Sequence, residues 1–436
     1  MVRAGKPESG NAPARTLFGH PRGLRVLFLT QMWAEFSFFG LQALLVYYMT
    51  KHLGFDQAKS SLIYGIYGGA AFFSPFFGGL IADRWLGRTV SVIAGGVMMM
   101  LGHFAMAFEG LLFPALALVA LGNGLFIPPL ATQVGSLYAD NDPRKAYAYT
   151  AYYMGINLGG LLAPLVCGTL GDVYGWHWGF AAAGVGMLVG LIVYLTNLRL
   201  LPPEPARGSN SETRSIGGTL IDKAKLKTLF LLVAMVVLFR VGYEQSGNVI
   251  ALWVRDFTDR SVPLFGTGAA IPATWFQSIN PLLIIILTPL LIRFWQSRKV
   301  AETVPNLLKR MSLGCVLAGL AMMLMVVAAG VSGPEGGQVS SWWTIGYFVL
   351  LTMGELLVIP VGLTLVETLS PAAFAATAMG AWYIAKFLGS LLAGFMGAYW
   401  LKIPPSTFFA LGMVSPLLAA LCLYLMARMR PGPAAS

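Results

Sequence analysis

Runs of about twenty apolar residues alternate with short polar breaks along this chain, and the alternation repeats twelve times. A helix crossing the ~30 Å hydrocarbon core of a bilayer needs about 20 mostly apolar residues, so each run predicts one membrane span. The spans are expected near 22-50, 60-82, 89-109, 111-138, 146-171, 179-198, 227-254, 271-295, 306-330, 342-369, 373-400 and 405-427. The longest polar interruption, 200-225, is rich in Pro, Gly, Ser and charge and reads as a linker. The expected organisation is a polar tail over 1-21, a six-helix bundle over 22-199, a linker over 200-226, a second six-helix bundle over 227-428 and a short tail over 429-436. Nothing in the first twenty residues resembles a cleaved leader, so the first span is expected to serve as the insertion signal.

Composition agrees with a membrane solvent. Of the 436 residues 57% are hydrophobic and 11% charged, against about 25% charged in soluble domains. The net charge of +11 first suggests a nucleic-acid partner, but its distribution removes that reading. Only Lys51, Lys59, Arg255, Arg260 and Lys402 fall on the side opposite the termini, and Arg240 and Lys386 fall inside spans. The other cations share one side, which by the positive-inside rule places both termini in the cytoplasm of a cell-membrane protein. Cys167, Cys315 and Cys422 sit in apolar runs without metal or disulfide spacing and are read as packing residues. No metal or other cofactor is expected, and a monomer is the expected state.

The two halves repeat. YYMGINLGGLLA (152-163) lies over WYIAKFLGSLLA (382-393) with six of twelve positions identical, and GNGLFIP (122-128) resembles GELLVIP (354-360) in consistent order. Paired six-helix halves around a midplane site are the architecture of major facilitator transporters, an all-α membrane fold of two bundles that rock about the site. GGLIADRWLGR (78-88), between the second and third spans, resembles the loop signature of that superfamily. Asp83 at a helix end is expected to accept bonds from a neighbouring helix N-terminus and to pair with Arg84 or Arg88 as a latch. Prolines within spans, among them Pro75, Pro128, Pro281 and Pro360, predict kinks.

Charge inside a span costs roughly 2.5 to 3.5 kcal/mol on insertion scales, so such residues face a cavity or a partner. Three carboxylates qualify: Glu35, Glu244 and Glu355. A carboxylate in a low-dielectric cavity is a candidate proton site, and His103 is the rival titratable group. No His-Glu-x-x-His pair, nucleophile elbow or phosphate-binding loop points to an enzyme.

Several stretches together resemble the proton-dependent oligopeptide transporter family. GGLIADRWLGRTV (78-90) with AYYMGINLGGLLAP (151-164), FQSINPLLIIILTPL (276-290), GELLVIPVGLTLVETLSP (354-371) and YEQSG (243-247) carry the resemblance. It implies import of di- and tripeptides driven by protons as coupling ion, with Tyr67, Asn157, Asn280, Glu355 and Trp382 at pocket positions and Glu244 at the acidic proton or gating position. The first span departs from the family pattern. The motif Glu-x-x-Glu-Arg-Phe-x-Tyr-Tyr-Gly reads Gln31-x-x-Ala34-Glu35-Phe36-x-Phe38-Phe39-Gly40 here, and the family cations after the glycine and in the fourth span are Gln42 and Ile127. Phe39 and Gln42 are therefore expected pocket residues of altered chemistry. Arg240, four residues before Glu244, and Lys386, four after Trp382, are expected to face the cavity as replacement cations. Arg240 is expected to pair with Glu244 or Glu35. For Lys386 two roles stay open, a gate bridge to Glu355 or a grip on the substrate carboxylate. The shift of cations also leaves open another small zwitterion or anion as cargo, or a weakly active sensor-like member.

Overall fold

A computed structural model of the chain describes residues 19–139, 142, 144–204, 223–261, 270–298, 302–333, 336–370 and 375–429. Most of the linker expected over 200-226 and of the tails expected over 1-21 and 429-436 falls outside the described residues.

A helix lies over each of the twelve apolar runs. These are α1 (Arg22–Tyr47), α2 (Gln57–Ile81), α3 (Arg88–Ala105), α4 (Leu112–Ser136), α5 (Arg144–Val173), α6 (Trp176–Thr196), α7 (Lys223–Tyr243) continuing as α8 (Val249–Phe257), α9 (Ile279–Arg298), α10 (Val304–Ser332), α11 (Ser341–Leu369), α12 (Ala375–Gly397) and α13 (Pro405–Arg428). Ten described segments are long and apolar enough to cross a membrane. The two others are α1, with Thr30, Gln31, Glu35 and Gln42, and α12, with Lys386. The first six helices pack on one another, as do α7 to α13, and the halves meet where α2 runs along α12 and α5 along α9. At the first of these seams Gly65 and Gly394 face each other, each with the other's backbone where a Cβ would go. Only glycine lets two helices approach so closely.

The seventh span differs from the continuous helix expected over 227-254. It breaks into a 3-10 turn at Glu244–Gly247 before resuming. Gly247 packs against the hydroxyl of Tyr64, and Ser and Gly are weak helix formers, so tertiary contact wins over the apolar pattern. Pro281 is likewise not a kink. It lies in the first turn of α9, where the missing N–H removes no intrahelical bond. Pro75, Pro128 and Pro360 are inside α2, α4 and α11 as expected.

The halves are stitched together by side chains at the end away from the chain termini. Tyr47 Oη donates to the Ala251 carbonyl at 2.8 Å, Ser61 Oγ to Asn248 Oδ1 at 2.8 Å and Gln57 Nε2 to the Gly397 carbonyl at 2.8 Å. Across the second seam, Ser278 Oγ donates to the Leu161 carbonyl at 2.8 Å and Trp275 Nε1 to Thr169 Oγ1 at 2.8 Å. A short parallel pairing of Thr258–Asp259 with Val339–Ser340 ties the second half together at that same end.

Candidate functional site

Between the halves lies a cavity of about 240 Å³, lined from α1, α2, α5, α7, α9, α11 and α12. One wall carries a carboxylate held in place by neutral donors. Tyr243 Oη donates to Glu355 Oε1 at 3.0 Å, and Asn280 Nδ2 donates to Glu355 Oε2 at 2.8 Å. The second N–H of the Asn280 amide reaches Thr352 Oγ1 at 3.0 Å. These donors fix the carboxylate's orientation and leave its charge uncancelled.

The break after α7 presents a second acidic group. Glu244 is the first residue of the 3-10 turn and forms a buried ion pair with Arg240, one turn earlier on α7. The Arg240 guanidinium also lies 4.9 Å from the ring centroids of Phe72 and Tyr243, a geometry in which the ring faces attract a desolvated cation. Its Nε has no partner among the described residues. The expected pairing of Arg240 with Glu244 is thus the one made.

Lys386 lines the same cavity. Its Nζ sits 5.1 Å from the Phe72 centroid and 5.6 Å from that of Tyr383, and it makes none of the ion pairs found among the described residues. The bridge from Lys386 to Glu355 is absent here, because Glu355 is already occupied by Tyr243 and Asn280. Charge interactions nevertheless reach Lys386 from Glu244, Glu35 and Glu355, opposed by Arg240.

Of the other sequence-derived positions, Phe39, Gln42 and Asn157 line the cavity. Gln42 Nε2 donates to Tyr64 Oη at 3.0 Å. Glu35, Tyr67 and Trp382 stand behind the wall. Glu35, 8% exposed, turns back along α1 to accept from Gln31 Nε2 at 2.6 Å, while Gln31 Oε1 accepts from Tyr152 Oη at 2.7 Å. Tyr67 stacks on Phe38, their centroids 6.1 Å apart, and Trp382 fills the space over Gly362. His103 is fully buried in α3 with both ring nitrogens unpartnered among the described residues. Tyr64, Phe72, Tyr243 and Gln277 join the lining without having been expected. Tyr243 had a visible signal, since it directly precedes Glu244 in the YEQSG block.

The expected latch is built differently. Asp83 and Arg84 are exposed, and Asp83 makes none of the ion pairs among the described residues. Glu204, just after α6, takes the helix N-terminus instead: it accepts from the backbone N–H of Thr89 at 2.6 Å and of Arg88 at 3.1 Å. Gly87, at φ 80, makes the turn that aims those N–H groups outward. Arg88 Nη1 donates to Ser136 Oγ at 2.8 Å. Partial desolvation raises the Glu204 carboxyl, but the Thr89 and Arg88 donors and the Arg88 charge outweigh it and hold the group below the usual carboxylate range.

Residues 27–394 match the Major Facilitator Superfamily. The chain is 32% identical to the peptide transporter YePEPT of Yersinia enterocolitica, over 90% of each chain, and 31% identical to a di-/tripeptide transporter of Lactococcus lactis, over 86% of this chain and 88% of that one. A crystal structure of a peptide transporter POT in complex with sulfate superposes with a TM-score of 0.86 at 30% identity, over 96% of both chains. This chain belongs to the POT family of peptide transporters. As such it is a multi-pass transporter of the cell membrane, and the Uncharacterized transporter YclF of Bacillus subtilis is similar to it at 33% identity over 95% of each chain. A POT-family structure in complex with 5-aminolevulinic acid also superposes, with a TM-score of 0.85 at 26% identity over 96% of this chain and 98% of that one.

Proposed function

We propose that this transporter imports di- and tripeptides together with protons by alternating access, with both termini cytoplasmic, and that it acts as a monomer. The observation that carries the reading is the pairing of an oriented carboxylate, Glu355, and an ammonium with no ion-pair partner among the described residues, Lys386, on the walls of one interhalf cavity. A zwitterion brings the complementary charges. Its amino end suits Glu355 with the acceptor oxygens of Asn157 and Asn280, and its carboxylate suits Lys386. Proton coupling falls to Glu244. While ionised it holds Arg240; once protonated it releases Arg240 to the cavity, which changes both the pocket's charge and the α7–α12 contact at Gly389, where Arg240 packs. Glu35, linked to Lys386 by charge, is the reserve proton site.

Purified protein in liposomes should accumulate a dipeptide under an inward proton gradient, and Lys386→Ala should weaken binding of peptides with a free carboxyl end roughly 10- to 100-fold, the ~1.5–3 kcal/mol of a charge-assisted bond, while sparing amidated ones. Peptide exchange without gradient-driven accumulation would remove the coupling, and equal losses for both peptide forms would remove the carboxylate grip. A second reading, a smaller zwitterion as cargo, is favoured by Gln42 and Ile127 standing where family cations would be. It predicts that 5-aminolevulinic acid raises the melting temperature more than any dipeptide does.

A further inference from the structure

A second cavity, of about 380 Å³, opens where the C-terminal end of α9 and the N-terminal end of α10 lie against α11, and the transport cycle proposed above does not use it. Arg310 on α10 lines it while only 9% exposed. Its guanidinium lies 4.3 Å from the ring centroid of Trp295, and its Nε has no partner among the described residues. Among the described residues the one carboxylate paired with it, Glu302, stands 3.6 Å away on a side chain that is 71% exposed, beyond hydrogen-bond reach and open to water. Thr288 adds a second buried polar atom, Oγ1, that has no partner among the described residues, to the same lining.

A buried guanidinium with an open donor is costly unless an anion completes it, and its fork matches phosphate oxygens. The rest of the lining selects the carrier of that phosphate. Leu291, Ile292, Leu356, Pro360 and Val361 make a continuous apolar wall, and Ile292 and Leu290 stand 49% and 59% exposed on the flank of α9. Arg293, Arg298 and Lys309 are exposed at the same helix ends. A soluble phosphate would gain nothing from that wall, whereas a phospholipid matches both the cation and the apolar surface.

We propose that this crevice binds an anionic phospholipid, with its phosphate on Arg310 over Trp295 and its acyl chain along α9 and α11. The occupant would bridge α9 to α10. Because α9 also packs on α5 of the other half, the site would let anionic lipid content bias the seam between the halves.

The test uses the full chain, delipidated in detergent, and reads the melting temperature with phosphatidylglycerol, phosphatidylcholine or inorganic phosphate. Phosphatidylglycerol should give at least twice the shift of phosphatidylcholine, and inorganic phosphate none. Arg310→Gln should reduce the phosphatidylglycerol shift to the phosphatidylcholine level, and Glu302→Gln, which removes the competing carboxylate, should enlarge it. Equal shifts from the two lipids, or a full shift from inorganic phosphate alone, would overturn the assignment. If Arg310→Gln does not fold, Glu302→Gln decides on its own, and an unchanged shift there overturns the proposal. None of these outcomes depends on which substrate is carried.

Discussion

Arg240 and Glu244 form a buried pair whose two members do unequal work. Removing one side of such a pair leaves an uncompensated charge, at a cost of about 3–5 kcal/mol, while an apolar replacement of both can be neutral. Glu244→Gln should therefore lower the melting temperature and abolish gradient-driven accumulation. The double variant Arg240→Met/Glu244→Leu should recover the melting temperature without recovering accumulation. If Glu244→Gln keeps full accumulation, the proton site moves to Glu35 or Glu355. Glu35 shows the same limit of local pattern. Its place in the first span was plain, but the chain from Tyr152 through Gln31 to its carboxylate joins residues of α1 and α5, and no local pattern states which way a side chain turns.

At the scale of an element, the start of α3 shows how a motif can be right in place and wrong in partner. The GGLIADRWLGR block does mark a turn followed by a helix N-terminus, but the carboxylate that caps it comes from Glu204, more than a hundred residues on. Capping bonds are worth about 0.5–2 kcal/mol, so Glu204→Gln should lower the melting temperature modestly. The sign with pH follows from the depressed folded pKa. The ionised cap stabilises above the unfolded carboxyl value of ~4.3 and its contribution is lost as pH falls through the lower folded value. Melting curves of wild type and Glu204→Gln should separate at pH 7 and converge as the pH falls below the usual carboxylate range. The break at Glu244–Gly247 carries the same lesson. The apolar pattern of 227-254 is that of one helix, and only the packing of Tyr64 against Gly247 reveals where it yields.

For the whole molecule, the interhalf hydrogen bonds gather at one end, and under the proposed topology that end faces outward. Each such bond is worth about 0.5–1.5 kcal/mol, and 1.4 kcal/mol is about tenfold in a two-state population. Tyr47→Phe with Ser61→Ala should therefore shift the ensemble toward opening at that end. Spin labels at Lys59→Cys and Lys402→Cys, both at that end, should report a larger long-distance fraction by electron–electron resonance; an unchanged distribution would remove the gate role of these bonds.

The number of spans, their bundling six and six and the superfamily were set by the sequence itself, because apolar length against a fixed bilayer thickness is a one-dimensional property. So were the in-span charges Glu35, Glu244, Glu355, Arg240 and Lys386 that need a partner, since the cost of burying them does not depend on the details of packing, whereas Arg310, grouped by the sequence with the cytoplasmic cations, is buried only by the tertiary structure. Which partners they found was decided in three dimensions. Glu355 is taken by Tyr243 and Asn280 rather than by Lys386, Tyr67 and Trp382 fall behind the wall they were expected to line, and Arg310 is left half-satisfied in a crevice between three helices. Those outcomes follow from where helices far apart in the chain cross, which periodicity along a single helix does not encode.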